Sequence, residues 1–127
     1  MTKRILVVQD QEGLRGVLRD LFTSSGYIVI EAVDGEAGVA SAKSDRPDII
    51  LMDIQMPLID GYEATRQIKA DPDLTSIPIV AVSSFAMKGD EEKARAAGCD
   101  EYVTKPYSPI QLLRVVRGYL GDKAKAI

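Results

Sequence analysis

Apolar positions along the chain alternate between short continuous runs and stripes at helical spacing, the pattern of strands and helices in turn. Ile5-Leu6-Val7-Val8, Tyr27-Ile28-Val29-Ile30, Ile49-Ile50-Leu51-Met52, Ile77-Pro78-Ile79-Val80-Ala81-Val82 and Tyr102-Val103-Thr104 are the runs. Between the first two, Leu14, Val17, Leu18, Leu21 and Phe22 fall at i, i+3, i+4, i+7 and i+8, one apolar face of a helix from about Glu12 to Ser25. Gly26 is placed to end it in a left-handed cap. Asp34-Gly35 turns into a small-residue helix from about Glu36 to Lys43, closed by Pro47. Asp60-Gly61 opens a third helix through Ala64 and Ile68, stopped at Asp71-Pro72, and a fourth spans Lys88 to Ala97 and ends at Gly98. Ser108-Pro109 supplies an N-cap and an N1 proline for the last, whose buried stripe is Leu112, Leu113, Val116 and Leu120 before Gly121. Five strands and five helices in strict alternation imply right-handed crossovers and a parallel sheet covered on both faces.

Three charged groups stand at the ends of these runs. Asp53 closes the third, Asp10 follows the first and Lys105 follows the fifth. If the runs are neighbouring parallel strands, all three gather at one sheet edge, where open α/β sheets bind their ligands.

Composition narrows what such a site does. The chain has 127 residues, 46% apolar and 28% charged, enough for one domain with a continuous core. Its net charge of -3 and pI near 5.0 argue against direct nucleic-acid binding through a basic face. It has no histidine and one cysteine, Cys99, which excludes an internal disulfide, zinc chemistry and Ser-His or Cys-His catalysis. Cys99 reads as an inert buried thiol. No apolar stretch approaches membrane-spanning length and Met1-Thr2-Lys3-Arg4 leads straight into a strand, so a cytoplasmic, membrane-free protein is expected.

The same residues carry a resemblance that covers the whole chain. Val8-Gln9-Asp10, Asp53-Ile54-Gln55-Met56-Pro57-Leu58-Ile59-Asp60-Gly61, Ser83 after the fourth strand and Lys105-Pro106 after the fifth resemble a receiver domain of a two-component response regulator. The stretch from Val80 to Gly89 is most similar to single-domain regulators of the cell-cycle and polarity type. The resemblance implies a flavodoxin-like (βα)5 doubly wound fold, five parallel strands in the order 2-1-3-4-5, filling residues 1-127 with no effector domain after Leu120. Output is then through another protein, or the chain is a piece of a longer one.

By the same resemblance, Asp53 is the phosphoacceptor, taking a phosphoryl group from a sensor histidine kinase or a histidine phosphotransfer protein in a phosphorelay, and the only catalysis is of its own phosphorylation and dephosphorylation. Mg²⁺ is the implied cofactor, held by Asp10, Asp53 and the backbone carbonyl of Gln55. Lys105 and Ser83 are the implied helpers at the phosphoryl group; Ser84 is adjacent, and spacing from the strand favours Ser83. Tyr102 is the implied rotamer switch, though from the residues alone it reads equally as edge packing. A downstream effector protein would read the face of the fourth helix, fifth strand and fifth helix, and the last-helix face is open to homodimer formation.

Gln9 departs from the pattern, standing where the family usually carries a second acid. It can reach the metal only through water, and it removes a negative charge, so weaker Mg²⁺ attraction is expected. Gln9 is also the one residue that recommends the alternative of a pseudo-receiver, a protein-interaction module that works without phosphate. By the same resemblance, Gln55 and Phe85 lie at positions that tune phosphoryl lifetime in the family, and neither is acidic. An aspartyl-phosphate hydrolase would want an acid at Gln55, and a flavodoxin-type nucleotide binder would want a glycine- or hydroxyl-rich loop in place of Gln9-Asp10-Gln11-Glu12.

Overall fold

The computed structural model of the chain describes residues 2–56, 59–83, 89–104 and 108–121. Within them the elements run β1 (Arg4–Val8), α1 (Glu12–Ser24), β2 (Ile28–Ala32), α2 (Gly35–Asp45), β3 (Ile49–Asp53), α3 (Gly61–Ala70), β4 (Ile79–Ser83), α4 (Asp90–Ala97), β5 (Glu101–Thr104) and α5 (Pro109–Leu120). All strand pairs are parallel and the sheet order is β2-β1-β3-β4-β5, the expected doubly wound arrangement.

Side chains on a strand alternate between faces, so each buried strand feeds two cores. Leu6, Val8, Ile50, Met52, Ile79 and Ala81 face one, covered by Val39 and Ala42 of α2, Ala64 and Ile68 of α3 and Ala94 of α4. Ile5, Val7, Ile49, Leu51, Val80 and Val82 face the other, covered by Leu18 and Phe22 of α1 and Leu112, Leu113 and Val116 of α5. Phe22 is fully buried and meets Tyr27 edge-on at 6.4 Å. Truncating a core aromatic of this kind costs about 3–5 kcal/mol.

Helix ends follow the cap residues. The side chains of Asp34, Asp60 and Ser108 accept from the N–H groups of Ala37, Glu63 and Gln111, which starts α2, α3 and α5 at the expected turns. Boundaries differ from the sequence reading where tertiary pairing outweighs the local apolar run. β2 begins at Ile28, not Tyr27, and extends to Ala32 because Val7 and Val8 of β1 pair with Glu31 and Ala32. β4 begins at Ile79 and extends to Ser83, because Pro78 has no N–H for the ladder and Ser83 pairs with Thr104. α2 runs on to Asp45, and Arg46 then takes the left-handed conformation at φ 45° ahead of Pro47. α4 begins at Asp90, after Gly89 at φ 90°, two residues later than expected.

Candidate functional site at the carboxyl edge of the sheet

The strand register decides which side chains meet. Val8 pairs with Met52, Asp53 with Val82, and Ser83 with Thr104, so Gln9, Asp53 and Ser83 line up along the carboxyl ends of β1, β3 and β4. Gln9, Asp53 and Ser83 are all buried, the only polar side chains so deeply placed among the described residues besides Thr65. Gln9 and Asp53 border one small cavity, together with Val7, Val8, Leu18, Leu51 and Val82. Asp10, one residue on from Gln9, is exposed. Lys105 lies outside the described residues, as do Pro57, Ser84, Phe85 and Pro106.

Asp53 is held at two levels. Its Oδ1 accepts from the Gln55 N–H at 3.1 Å, which fixes the carboxylate against the turn that follows it. The backbone behind it is fixed by Gly61, whose N–H donates to the Ile54 carbonyl at 3.0 Å. A side chain at Gly61 would run into the Asp53 carbonyl oxygen, so only glycine lets α3 start this close to the strand end. At Gly38 the same logic applies on the other flank, where an added Cβ would sit 2.9 Å from Val8 Cγ2.

The Gln9 segment is anchored independently. Its N–H donates to Ala32 O at 3.0 Å, its side-chain Oε1 accepts from Gln11 N–H at 3.0 Å, and its carbonyl accepts from Arg15 Nη1 at 3.0 Å. Arg15 is in turn paired with Glu31 of β2 at 3.1 Å, with its side chain only 14% exposed. Sequence reasoning missed Arg15, since an arginine on the solvent-leaning side of a helix carries no signal that it reaches back to a strand end.

Among the described residues no group of three or more acidic, cysteine or histidine side chains is placed to hold a metal ion. The donor set that the resemblance implies, Asp10, Asp53 and the Gln55 carbonyl, is all oxygen, which would suit a hard divalent cation.

Tyr102 of β5 pairs with Ala81, two residues before Ser83, and is half-buried against the core on the α3–α4 side, with its hydroxyl fully buried and without a hydrogen-bond partner among the described residues. Beside it is Tyr62 of α3, a second residue that sequence reasoning passed over. Burial, followed by the charges of Asp90, Tyr102, Asp60 and Cys99, pushes the Tyr62 phenol up to about 12. Cys99 itself is buried and its thiol pushed up, burial outweighing the contact to Thr65 Oγ1 at 3.6 Å.

An α/β domain with an anchored acid at the carboxyl end of its central strand, a buried serine on the next strand and a tyrosine on the last is the architecture of a phosphorylation-controlled signalling module. The chain belongs to the response regulator receiver domain family, matching it over residues 5–117. It is 43% identical over 122 residues to the polar-differentiation response regulator DivK of Brucella ovis, covering 96% of this chain and 99% of that protein, with the same figures for DivK of Brucella abortus. Among solved structures it is similar to the receiver domain of the sensor histidine kinase PA1611 of Pseudomonas aeruginosa, which has a magnesium ion coordinated in its active-site cleft. That match has TM-score 0.88 and 36% identity, covering 95% of this chain and 99% of that one. The chemotaxis protein CheY4 of Vibrio cholerae shares the fold, at TM-score 0.88 and 24% identity over 94% of this chain and 99% of that one. The likeness to regulators of cell polarity read from Val80 to Gly89 is therefore sustained over nearly the whole chain. No helix among the described residues is long and apolar enough to cross a membrane.

Proposed function

We propose that Asp53 is the phosphoacceptor of this receiver, loaded from a phosphohistidine on a sensor kinase or phosphotransfer protein. The observation that carries this reading is the anchored burial of Asp53 at the carboxyl end of β3, 4% exposed, with Gln55 N–H fixing one oxygen. In the step itself a carboxylate oxygen of Asp53 forms the new O–P bond as the P–N bond to the donor imidazole breaks; the donor ring, protonated on its other nitrogen, departs as neutral histidine and leaves an acyl phosphate on Asp53.

Asp10, Asp53 and the Gln55 carbonyl would hold Mg²⁺, which supplies charge neutralisation between a carboxylate and an incoming phosphoryl group. The magnesium ion in the active-site cleft of the 36% identical PA1611 receiver supports Mg²⁺ as the cation. Gln9 contributes weakly and through water, since its Oε1 is already engaged by Gln11. Lys105 would serve by pairing with Asp53 before transfer and with a phosphoryl oxygen after it. Ser83 donates its hydroxyl to the same phosphoryl group, and Tyr102 responds to the space that Ser83 vacates. A new group carrying roughly -1.5 to -2 charges is ample to bias such a pair of states. The face of α4, β5 and α5 passes the message to a downstream protein, with allosteric coupling of about 1–3 kcal/mol.

The pseudo-receiver alternative is not favoured: it rests on Gln9 alone, whereas the likeness to DivK extends over 96% of the chain. The test is intact-protein mass after incubation with Mg²⁺ and acetyl phosphate, beside Asp53→Asn. One phosphate adduct, lost in the variant, is expected. No adduct on a folded, metal-binding protein would overturn the proposal.

A further inference from the structure

Two tyrosines, Tyr62 and Tyr102, pack against the same apolar cluster, and only Tyr102 belongs to the relay described above. Tyr62 follows Gly61, whose N–H is bonded to Ile54 O and whose missing Cβ lets α3 press on the Asp53 carbonyl. Its backbone is therefore pinned directly behind the acceptor. Its side chain reaches the opposite way, with the hydroxyl donating to the carbonyl of Asp90, the first residue of α4, at 3.4 Å. The ring packs against the same apolar cluster as Tyr102.

α4 needs an anchor of this kind. It is 8 residues long, a length at which a helix depends on contacts from outside, and its N-cap is Gly89, which offers no capping side chain. With its phenol pushed up to about 12, Tyr62 remains a proton donor across the physiological range. A bond at 3.4 Å is at the long end for a hydroxyl donor. A weak, reversible tether suits an element that must exchange between two arrangements.

We propose that Tyr62 is a positioning residue that couples the acceptor loop to α4, its hydroxyl holding the first turn of α4 in register with the backbone behind Asp53 and its ring bounding the space open to Tyr102. The tether is a property of the protein without a phosphoryl group. Only its transmission of the signal rests on the reading of Asp53 as acceptor.

The experiment is amide hydrogen exchange across residues 90–97 in the wild type, Tyr62→Phe and Tyr62→Leu, first with no phosphodonor present. In Tyr62→Phe, which keeps the ring, exchange in α4 is expected to rise roughly two- to tenfold. Exchange in α1, on the far face of the sheet, is expected to stay as it was. Unchanged exchange in α4 overturns the proposal, and so does an equal rise in α1, which would mean general loosening. Tyr62→Leu, which loses the ring as well, is expected to loosen α4 at least as much and to shift the ring resonances of Tyr102; an unmoved Tyr102 overturns the part given to the ring. The second arm adds Mg²⁺ and acetyl phosphate. Tyr62→Phe is expected to form the Asp53 adduct as fully as the wild type while the response of α4 to it shrinks; a full response overturns the coupling. A wild type that takes no phosphate would sink the acceptor assignment, and the first arm would still decide the tether.

Discussion

The backbone N–H of Gln11 donates to Gln9 Oε1 at 3.0 Å, so the residue standing where the family usually has an acid is committed to holding its own loop. A glutamate in its place keeps that bond with one oxygen and brings the other, anionic, to the cleft beside Asp10 and Asp53. Gln9→Glu is therefore expected to bind Mg²⁺ about tenfold more tightly, the size of effect that one extra charge gives a divalent ion across a partly solvated gap. Titration of both proteins with Mg²⁺, followed by calorimetry or amide shifts, checks it. Equal affinities would sink the idea that Gln9 weakens the site.

The Tyr102 hydroxyl is buried with no partner among the described residues. A buried hydroxyl left unpaired costs about 1–3 kcal/mol, so the inward orientation is held against a penalty that the apolar rim of the ring must offset. Tyr102→Phe removes the penalty and keeps the ring. It is expected to be neutral or to stabilise the fold by up to about 1 kcal/mol. Urea unfolding decides: a loss of more than 1 kcal/mol would mean that the hydroxyl has a partner worth keeping.

What the sequence made legible and what it hid have physical reasons. Strands buried on both faces write themselves as unbroken apolar runs, and Asp53 could be placed at a strand end because its charge interrupts one. The caps at Asp34, Asp60 and Ser108 are local chemistry and were equally readable. The end of β2 was not, because Glu31 and Ala32 are strand residues only through pairing with Val7 and Val8. Arg15 and Tyr62 were missed for the same kind of reason. Each is unremarkable on its own helix, and each matters through a contact to a distant segment, Gln9 O for one and Asp90 O for the other.

Gly61 and Gly118 look alike in sequence, each inside a helix, yet their surroundings differ. A Cβ at Gly61 collides with the Asp53 carbonyl and the Ile54 backbone, while one at Gly118 meets nothing within 4 Å. Gly61→Ala is expected to cost about 1–3 kcal/mol and to displace the acceptor backbone, lowering adduct yield on Asp53. Gly118→Ala is expected to gain about 0.5–1 kcal/mol with no change in yield. Chemical unfolding beside acetyl phosphate labelling measures both. Normal yield in Gly61→Ala would show that the acceptor loop tolerates the shift.

Cys99 is 5% exposed and its thiol is pushed up, chiefly by burial. Little thiolate and no access make a slow nucleophile, with reaction awaiting local opening. Alkylation of the native protein at neutral pH is expected to be at least about a hundredfold slower than in urea. Comparable rates would place Cys99 on a far more mobile segment than its packing against Thr65 indicates.

The single proton of the Tyr119 hydroxyl is shared between Asp100 O and Glu101 Oε1, at 3.0 and 3.1 Å. Its phenol is pushed up to about 12 from 10.0, by burial first, then by the bond to Glu101 and the charges of Glu101 and Asp100. Below pH 10 the phenol is protonated in folded and unfolded chains alike, and it adds no pH dependence. Between pH 10 and about 12 the unfolded chain releases the proton and the folded one keeps it, so stability falls as pH rises through this window. Tyr119 is 39% exposed, which leaves the amplitude well below what the full shift would give. Tyr62 titrates in the same range, so Tyr119→Phe should make the decline shallower without abolishing it. At neutral pH the variant loses about 0.5–1.5 kcal/mol with the hydrogen bond. Urea unfolding in steps through the alkaline window, on wild type and Tyr119→Phe, gives the two slopes. Parallel slopes would mean that the Tyr119 phenol titrates in the folded protein as it does in the unfolded chain.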